Sequence, residues 1–364
     1  MSKLLSLPFR LELRGAPSRA MTYWSPVIAI ALTLLLGALL FLALGKDPLA
    51  GLKVFLVAPF SGKRAISELL LKSIPLILCA LGLAVCFRAS IWNIGAEGQF
   101  TVGALASGAM LVWLDVPGHG ISGGAGLLLM IAAGIAGGAF WAAITAFLRD
   151  QFNANEILVS LMLTYVAQLL LMWAVNGPLK DPNGMNFPQS KVFSDEFMLP
   201  MLVAGTRLHV GFVVAVAAAL LMAVFMLRSL RGFSLTVGGV APHAARYAGF
   251  SARSALWVSL LISGAFAGLA GAFEIAGPIG QLLPSVSPGY GFAAIIVAFI
   301  GRLHPVGAIL GGLIMSLLYL GGELAQSRLG LPSAITGVFQ GMLLFLLLAC
   351  DTLIDYRLAW KKKA

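Results

Sequence analysis

The sequence predicts an all-α protein that crosses a membrane about ten times, with two halves arranged as an inverted repeat. Hydrophobic residues make up 60% of the 364 residues, charged residues make up only 10%, and the mean hydropathy is +0.96. A water-soluble domain usually carries about 25% charged residues, so a bilayer is the solvent that fits this composition. The 42 glycines favour closely packed or broken membrane helices over simple anchors.

Eight apolar segments are long enough to cross the hydrocarbon core, which requires about 20 helical residues. They are residues 26–45, 66–87, 123–148, 156–175, 210–227, 255–277, 305–322 and 334–353. Two further segments are less regular. Residues 94–114 begin with Glu97 and Gln99 among glycines. Residues 291–301 are apolar but too short for a straight crossing, so this segment either spans as part of a broken helix or re-enters.

The distribution of Lys and Arg predicts cytoplasmic termini, because cytoplasmic loops carry the excess of positive charge. With ten crossings, fifteen of the 24 Lys and Arg residues fall inside, eight fall outside and Lys72 lies within a span. The net charge of +10 is thus explained by topology, and no basic–aromatic stripe points to nucleic acid. The resulting parts are a basic tail (1–25), a membrane domain (26–355) with an external loop (176–209) and a cytoplasmic loop (229–254), and a second basic tail (356–364).

Two stretches of the membrane domain, 66–175 and 255–353, share one pattern. Each has a long helix, then a polar or short glycine-rich segment, then two more helices. The first stretch starts outside and the second starts inside, which is the arrangement of the inverted repeats found in many transporters. Residue identity between the two stretches is weak, so the repeat is predicted from the pattern alone.

No sequence pattern supports an enzymatic site, a metal site or a cofactor. A phosphate-binding loop requires Gly-x-x-x-x-Gly-Lys-Ser/Thr, and the first glycine is absent before both Gly62-Lys63 and Gly45-Lys46. The three cysteines lie in apolar segments and are expected to be inert. Energy for active transport would therefore come from a partner protein or from an ion gradient.

The segment around Asn93, Glu97 and Gln99 is the first candidate site. A carboxylate and two amides among glycines at the start of a membrane segment either line a polar pathway or form a structural clamp between helices. Glu274, deep in an apolar run, is a further pathway candidate. Glu156 differs, because Asn153 or Asn155 can cap the following helix and an acidic residue suits its positive end.

The cytoplasmic loop contains the second candidate site, a short helix of about two turns. Proline favours the first helical turn, alanines favour helix and glycine can end it. Arg246 and Tyr247 would be the large side chains presented by such a helix, which would fit a groove on another protein. The alternative is an ordinary solvated connector. The residues concerned are Pro242, Ala244, Ala245, Arg246, Tyr247 and Gly249.

Three stretches together resemble the permeases of bacterial ABC importers for simple sugars, nucleosides and branched-chain amino acids. Residues 93–99, Asn-Ile-Gly-Ala-Glu-Gly-Gln, are similar to the signature of the nucleoside-type branch. Residues 244–249, Ala-Ala-Arg-Tyr-Ala-Gly, resemble the cytoplasmic coupling helix that docks on the ATPase. Residues 301–307, Gly-Arg-Leu-His-Pro-Val-Gly, resemble a turn in the second half of that family. The similarity covers nearly the whole chain.

The resemblance implies a bundle of the vitamin-B12-importer (type II) kind in the bacterial inner membrane. It also implies a complex with a second permease chain, which in the nucleoside branch is typically a different chain, two ABC ATPase subunits and an external substrate-binding protein. The cargo expected from the closest branch is a nucleoside, with a simple sugar or a branched-chain amino acid as alternatives. One departure is Ala241, where the family usually has Asn before the coupling-helix proline.

Functions from other classes remain open on the residues alone. An ion-coupled secondary transporter would use Glu97 or Glu274 as its ion site, and the coupling-like loop argues against it. A passive channel is a weaker alternative. A membrane enzyme is the weakest, because the sequence contains no recognisable catalytic constellation.

Overall fold

The computed structural model describes residues 9–115 and 123–360, and these residues are almost entirely helical. The ends of the two tails, residues 1–8 and 361–364, lie outside the described part. In chain order the elements are β1 (Phe9–Leu13), α1 (Arg19–Ala43), α2 (Pro48–Leu56), α3 (Lys63–Arg88), α4 (Ala96–Leu114), α5 (Gly123–Phe152), α6 (Glu156–Asn176), α7 (Gly211–Arg228), α8 (Leu230–Val240), α9 (Pro242–Tyr247), α10 (Ala252–Glu274), α11 (Tyr290–Ile300), α12 (Pro305–Leu329), α13 (Ala334–Asp355) and β2 (Tyr356–Trp360).

Eight of the described helices are long and apolar enough to cross a membrane, namely α1, α3, α5, α6, α7, α10, α12 and α13. They coincide one for one with the eight predicted segments. The prediction of an all-α, multi-pass membrane protein is confirmed. The two irregular segments are also helical. The 11 residues of α11 would rise about 16 Å, roughly half of the hydrocarbon thickness.

The chain forms two compact units, residues 1–59 with 321–364 and residues 60–320. In the described part of the first unit, α1 packs against α13 and α2. Three rings, Phe41, Phe55 and Phe339, form its aromatic centre with centroids 4.4–6.3 Å apart. Ser18 caps α1 by accepting a hydrogen bond from the backbone N–H of Met21 at 3.3 Å.

The described parts of the two tails pair with each other. Phe9–Leu13 pairs with Tyr356–Trp360 as an antiparallel two-stranded ribbon. Arg14 donates from its backbone N–H to the carbonyl of Asp355, which extends the pairing by one further bond. In these residues the two basic tails therefore satisfy each other's backbone groups.

In the second unit α10 packs against α3, α4 and α5, and glycines let α5 and α10 touch backbone to backbone. A Cβ added at Gly138 would overlap the carbonyl oxygen of Gly264, and one added at Gly268 would overlap that of Gly134. Gly103 of α4 lies equally close to Gly268. These residues form two Gly-x-x-x-Gly faces, a spacing that allows close contact between membrane helices. The α5–α10 pair holds the unit's core together.

The packing of the second unit agrees with the predicted repeat. Helix α4 packs on α10, and α11 packs on α3. The second helix of each half thus packs on the first helix of the other half, as expected if α3 corresponds to α10 and α4 corresponds to α11. One turn of π-helix, Ile275–Ile279, ends α10 before the chain turns back. It has no counterpart at the end of α3, where the helix stops at Arg88.

The loop between α6 and α7 is anchored to the second unit rather than free. Lys191 and Ser194 both donate to the carboxylate of Asp115, at the end of α4. Burial opposes ionisation of this carboxyl, but the two hydrogen bonds and the charge of Lys191 prevail and hold the pKa of Asp115 below its usual range. The loop closes with a bridge between Met201 and His209.

Candidate functional site

A buried polar network closes the turn between α3 and α4. The side-chain nitrogen of Asn93 donates to Gln99 Oε1 at 3.0 Å and to Ser263 Oγ at 2.9 Å. Asn93 Oδ1 accepts from the N–H of Gly95 at 3.0 Å and from Gln99 Nε2 at 3.2 Å. Asn93 and Gln99 are 0% and 1% exposed. Because both amides are satisfied within this network, the structure favours the clamp interpretation over the pathway interpretation for these two residues.

Glu97 lies where the N-terminus of α4 meets the N-terminus of α11. Its Oε2 accepts from the N–H of Gly291 at 2.6 Å. The hydroxyl of Ser287 and the N–H groups of Gly289 and Phe292 also hydrogen-bond this carboxylate. A helix N-terminus carries a partial positive charge and unpaired N–H donors. One carboxylate thus compensates two helix ends, and no cation is required beside it.

The two helix starts are built in the same way. Asn93 stands two residues before Gly95, the N-cap of α4, and accepts from its N–H. Ser287 stands two residues before Gly289, the N-cap of α11, and accepts from the N–H groups of Gly289 at 3.1 Å and Tyr290 at 3.0 Å. This shared cap is further structural support for the predicted correspondence of the two halves. Sequence identity did not reveal it, since the capping residues differ.

Glu97 also lines a cavity of about 410 Å³. Thr101 of α4 stands beside it, and Tyr165 and Gln168 of α6 form the opposite wall. The loop before α11 closes the cavity with Pro284, Ser285, Val286 and Ser287. Of the predicted pathway residues, Glu97 is the one that lines this cavity, whereas Asn93 and Gln99 lie behind it.

Glu274 has a different set of neighbours. It lies at the end of α10, where the charged groups acting on it are Lys72, Arg207 and Glu68. Arg207 donates two hydrogen bonds to Glu68, at 2.8 and 2.9 Å. Glu274 therefore lies within electrostatic reach of charged groups on α3 and on the loop before α7, and it does not share the partners of Glu97.

The start of α6 matches its predicted structural explanation. Asn155 Oδ1 accepts from the N–H groups of Ile157 at 2.9 Å and Leu158 at 3.4 Å, as an N-cap does. Glu156 pairs with Arg149 and accepts from the N–H of Trp92 at 3.4 Å. The interpretation of Asn155 as a cap is confirmed, and Glu156 ties α5 to the turn before α4.

The predicted short helix of the cytoplasmic loop is observed as α9, Pro242–Tyr247. Pro242 occupies its first turn, and Gly249 follows it in the left-handed region at φ +82°. Ala245 is buried, whereas Arg246 and Tyr247 project outward, with Tyr247 97% exposed. No side chain caps its start, where Ala241 stands.

Helix α9 borders a groove of about 720 Å³ formed with α8, the start of α10 and the ends of α3 and α5. Ser90 donates from its hydroxyl to the carbonyl of Gly239 at 3.0 Å. Gly239 lies so close to the backbone of Arg88 that a Cβ would overlap it. This contact ties the α8–α9 hairpin to the end of α3.

The motif at residues 301–307 forms the turn between α11 and α12. Arg302 and Leu303 both take positive φ values, 56° and 53°, which non-glycine residues rarely adopt. Gly301 and Gly307 lie against each other, and a Cβ on either would crowd the backbone of the other. The glycine spacing of the motif is thus required by close approach.

Sequence reasoning missed every polar residue of the cavity except Glu97. The missed residues are Thr101, Tyr165, Gln168, Ser285 and Ser287. Gln168 carried a usable signal, because a polar amide in the middle of an apolar span is rarely placed against lipid. The two serines gave no local signal, since their position depends on how the loop before α11 folds back onto α4.

Comparison with known proteins agrees with this architecture. Residues 65–348 match the family model described as "Branched-chain amino acid transport system / permease component". The glucose ABC transporter permease protein TsgB13 of Haloferax volcanii is 36% identical over 95% of this chain and 93% of its own. The guanosine ABC transporter permease protein NupP of Bacillus subtilis is 33% identical over 86% of this chain and 89% of its own.

A solved structure of a metal-chelate type ABC transporter in an inward-facing conformation is also similar. The match covers 89% of this chain and 99% of the solved chain, with 15% identity and a TM-score of 0.48.

The family match spans most of the sequence, and the glucose and guanosine permeases align along almost their whole length. The chain therefore belongs to the permease component family of branched-chain amino acid transport systems. It is a membrane-spanning permease subunit of an ABC transporter, and ATP hydrolysis resides on separate subunits. Membership of the family implies ATPase subunits and a second permease chain as partners.

Proposed function

We propose that this chain forms half of the translocation path of an ATP-driven importer for nucleosides, which receives its cargo from an external binding protein. The observation that carries the proposal is the alignment with a guanosine permease over 86% of this chain. A second permease for nucleosides, from Lactococcus lactis, is 29% identical over 88% of the chain. The segment at 93–99, which resembles the nucleoside-type branch, lies at the junction of α4 and α11.

Glucose is the second candidate cargo. It is favoured by the higher identity, 36%, to the permease that carries that name. Both cargoes are neutral rings with several hydroxyl groups, and both would be handled by hydroxyl, amide and aromatic side chains. In this proposal the binding protein selects the cargo, and the permease offers a passage of low affinity.

The proposed orientation places α9 and both termini in the cytoplasm of a bacterial cell and the loop between α6 and α7 outside its inner membrane. The positive residues support it, as cytoplasmic loops carry the excess of Lys and Arg. Single cysteines at exposed positions in a cysteine-free background test it in intact cells, with Met185→Cys outside and His243→Cys inside. Labelling at 243 without labelling at 185 would reverse the orientation.

Uptake measurements test the cargo. Cells with and without this chain are given labelled guanosine, adenosine or uridine, with glucose and leucine as competitors and as separate labelled substrates. We expect deletion to abolish nucleoside uptake and to leave leucine uptake unchanged. Loss of glucose uptake with normal nucleoside uptake would replace the first cargo by the second.

Coupling to the ATPase is proposed to run through α9. Arg246→Glu and Tyr247→Ala should leave the permease folded in the membrane and weaken its association with the ATPase subunits, so that uptake stops. Arg228→Glu, which makes the same charge change at the exposed end of α7 outside the groove that α9 borders, is the matched control and should retain uptake. Normal transport by both α9 variants would reduce α9 to a connector.

A further inference from the structure

An amide stands in the middle of α6 without a partner. Gln168 is the thirteenth of the 21 residues of this helix, and its side chain is exposed. Among the described residues it has no hydrogen-bond partner. A polar side chain facing lipid at this depth is costly, and such residues usually face a polar cavity or another protein. The position of Gln168 therefore requires a polar neighbour that the chain itself does not supply.

Gln168 belongs to one stripe of α6 that faces the cavity beside Glu97. Tyr165, Gln168, Leu169 and Met172 recur at helical spacing and all line this cavity. Tyr165 is 54% exposed, so its ring is free to lie against a bound molecule. The volume of about 410 Å³ lies within the range of small-molecule sites.

The opposite wall supplies further polar groups at the same depth. Ser285 is exposed at the edge of the cavity, and Thr101 and Glu97 line its floor. The Glu97 carboxylate is engaged by the N–H of Gly291 and by the Ser287 hydroxyl. The chain itself therefore supplies partners for this carboxyl group, and the remaining polar groups of the cavity are neutral hydroxyls and an amide, which suit a neutral ligand.

Apolar side chains complete the site. Leu169, Met172, Pro284 and Val286 alternate with the hydroxyl and amide groups around the cavity. This combination suits a compound that presents ring hydroxyls on one edge and a flat or apolar face on the other. Nucleosides and hexoses share that chemistry, whereas a lipid chain would leave Gln168 without a hydrogen bond.

We propose that the cavity between α4, α6 and the loop before α11 is a substrate subsite within the membrane. Gln168 hydrogen-bonds the hydroxyls or ring amides of a neutral polyhydroxylated compound, and Tyr165 packs on its ring. The subsite rests on the proposed function, since it lies on the path of the imported molecule. It adds Tyr165, Gln168 and Ser285 to the residues that the sequence had indicated.

The test uses the complete transporter, with both permeases, the ATPase subunits and the binding protein, in proteoliposomes. Gln168→Leu should lower uptake of labelled guanosine, or of labelled glucose if that is the cargo, by roughly five- to tenfold, the effect of one or two lost hydrogen bonds. The subunit composition of the purified complex should be unchanged. Trp173→Leu, an exposed residue of α6 outside the cavity, is the control and should transport normally.

A chemical measurement separates a path residue from a structural one. Gln168→Cys, with Cys79, Cys86 and Cys350 replaced, should react with a small hydrophilic thiol reagent. Substrate delivered by the loaded binding protein in the presence of ATP should slow that reaction. Modification of the cysteine by the reagent should block uptake. Tyr165→Phe should retain most uptake, whereas Tyr165→Leu should lose it.

Three results would overturn the subsite. They are equal uptake by Gln168→Leu and Trp173→Leu, a thiol reaction that substrate does not slow, and loss of the second permease from the Gln168→Leu complex, which would make this face a subunit interface. A wild-type complex that moves neither guanosine nor glucose would instead refute the proposed function, so the two failures are distinguishable.

Discussion

Two kinds of helix start occur in this permease, and they differ in where their hydrogen bonds go. The buried starts of α4, α11 and α7 each have a side chain from the preceding turn that accepts a backbone N–H, namely Asn93, Ser287 and His209. The exposed start of α9 has Ala241, and no side chain caps it. Every helix start leaves backbone N–H donors without an acceptor inside the helix. The starts of α2, α6 and α10 are capped by Asp47, Asn155 and Ser251 although they are exposed, so α9 departs from these other exposed starts.

A buried helix start must find its acceptors within the chain, because water is excluded and an unpaired N–H costs about 1–3 kcal/mol. At α4 and α11 the chain adds Glu97 to the two caps and brings both ends together. An exposed start can leave its donors to water or to a partner protein. The uncapped start of α9 therefore fits a surface that another subunit covers, whereas the α4–α11 junction is complete within this chain.

The largest effect is expected from separating the two buried starts. An added methyl group in Gly291→Ala would lie 2.5 Å from the Cα of Glu97 and 2.7 Å from the carbonyl carbon of Ala96. Backbone atoms cannot rotate away, so the variant should lose about 1–3 kcal/mol or more by overpacking. The measurement is the thermal unfolding midpoint and yield of the purified complex.

Gly341→Ala, a helical position with open space around it, is the control for that substitution. It should be neutral or slightly stabilising, since alanine restricts the unfolded chain and favours helix. An unfolding midpoint of Gly291→Ala equal to that of Gly341→Ala would show that α4 and α11 do not meet head to head.

The next effect concerns the acceptor that serves both buried starts. Glu97→Ala removes the partner of Gly291 and leaves two positive helix ends uncompensated, whereas Glu97→Gln retains an acceptor oxygen. We expect uptake to fall by about tenfold or more in the alanine variant, as a hydrogen bond to a charged group is worth about 1.5–3 kcal/mol. The glutamine variant should lose less.

Glu156→Ala is the comparison for Glu97→Ala. Arg149, the partner of Glu156, is 40% exposed in its side chain and can be solvated when the pair is broken. The expected loss of uptake is within about twofold, the range of a partly exposed ion pair. Equal losses at positions 97 and 156 would mean that joining α4 to α11 has no special role in transport.

Most of the fold followed from local pattern, because a run of about 20 apolar residues defines a span without reference to the rest of the chain. The short α11 and the helix α9 followed from length, proline and glycine in the same way. Helix α2 was missed although Asp47 caps it and Pro48 occupies its first turn. The β1–β2 ribbon had no local signal, since its strands pair across almost the whole length of the chain.

In the candidate site, likewise, the residues with a local sequence signal were predicted, and their distant partners were not. Polar residues among glycines marked Asn93, Glu97 and Gln99, yet their partners lie far along the chain. Ser263 is 170 residues from Asn93, and Gly291 is 194 residues from Glu97. Only the packing of α10 and α11 brings Ser263 to Asn93 and the start of a second helix to Glu97.

A smaller effect is expected at the buried start of α7. His209 is 2% exposed, and its Nδ1 accepts from the N–H of Gly211 at 3.1 Å, so the ring is neutral. Burial lowers the pKa of His209 from 6.5 to about 4. Between these values the unfolded histidine binds a proton that the folded one does not. Stability therefore falls as the pH drops from 6.5 towards 4, by roughly 3 kcal/mol in full.

Thermal unfolding of the purified permease between pH 7 and 4.5 measures this loss. His209→Asn offers an amide oxygen in place of Nδ1 and does not titrate in this range, so its unfolding midpoint should depend less on pH. Parallel pH curves for the wild type and His209→Asn would assign the acid sensitivity to other groups.

The smallest effect is expected at the exposed start. Ala241→Asn would give α9 the cap that it lacks, worth about 1 kcal/mol of helix stability. Hydrogen exchange of the backbone amides of residues 243–247 should slow by about fivefold, because local opening becomes that much rarer. The unfolding midpoint of the whole permease should hardly change, as α9 is a short surface helix.

Ala248→Asn adds the same side chain at the other end of α9, where it cannot cap the start, and should leave exchange unchanged. If the ATPase supplies the missing acceptor in the wild type, the difference between Ala241→Asn and wild type should disappear in the assembled complex. Its persistence there would mean that the partner leaves the start of α9 uncovered.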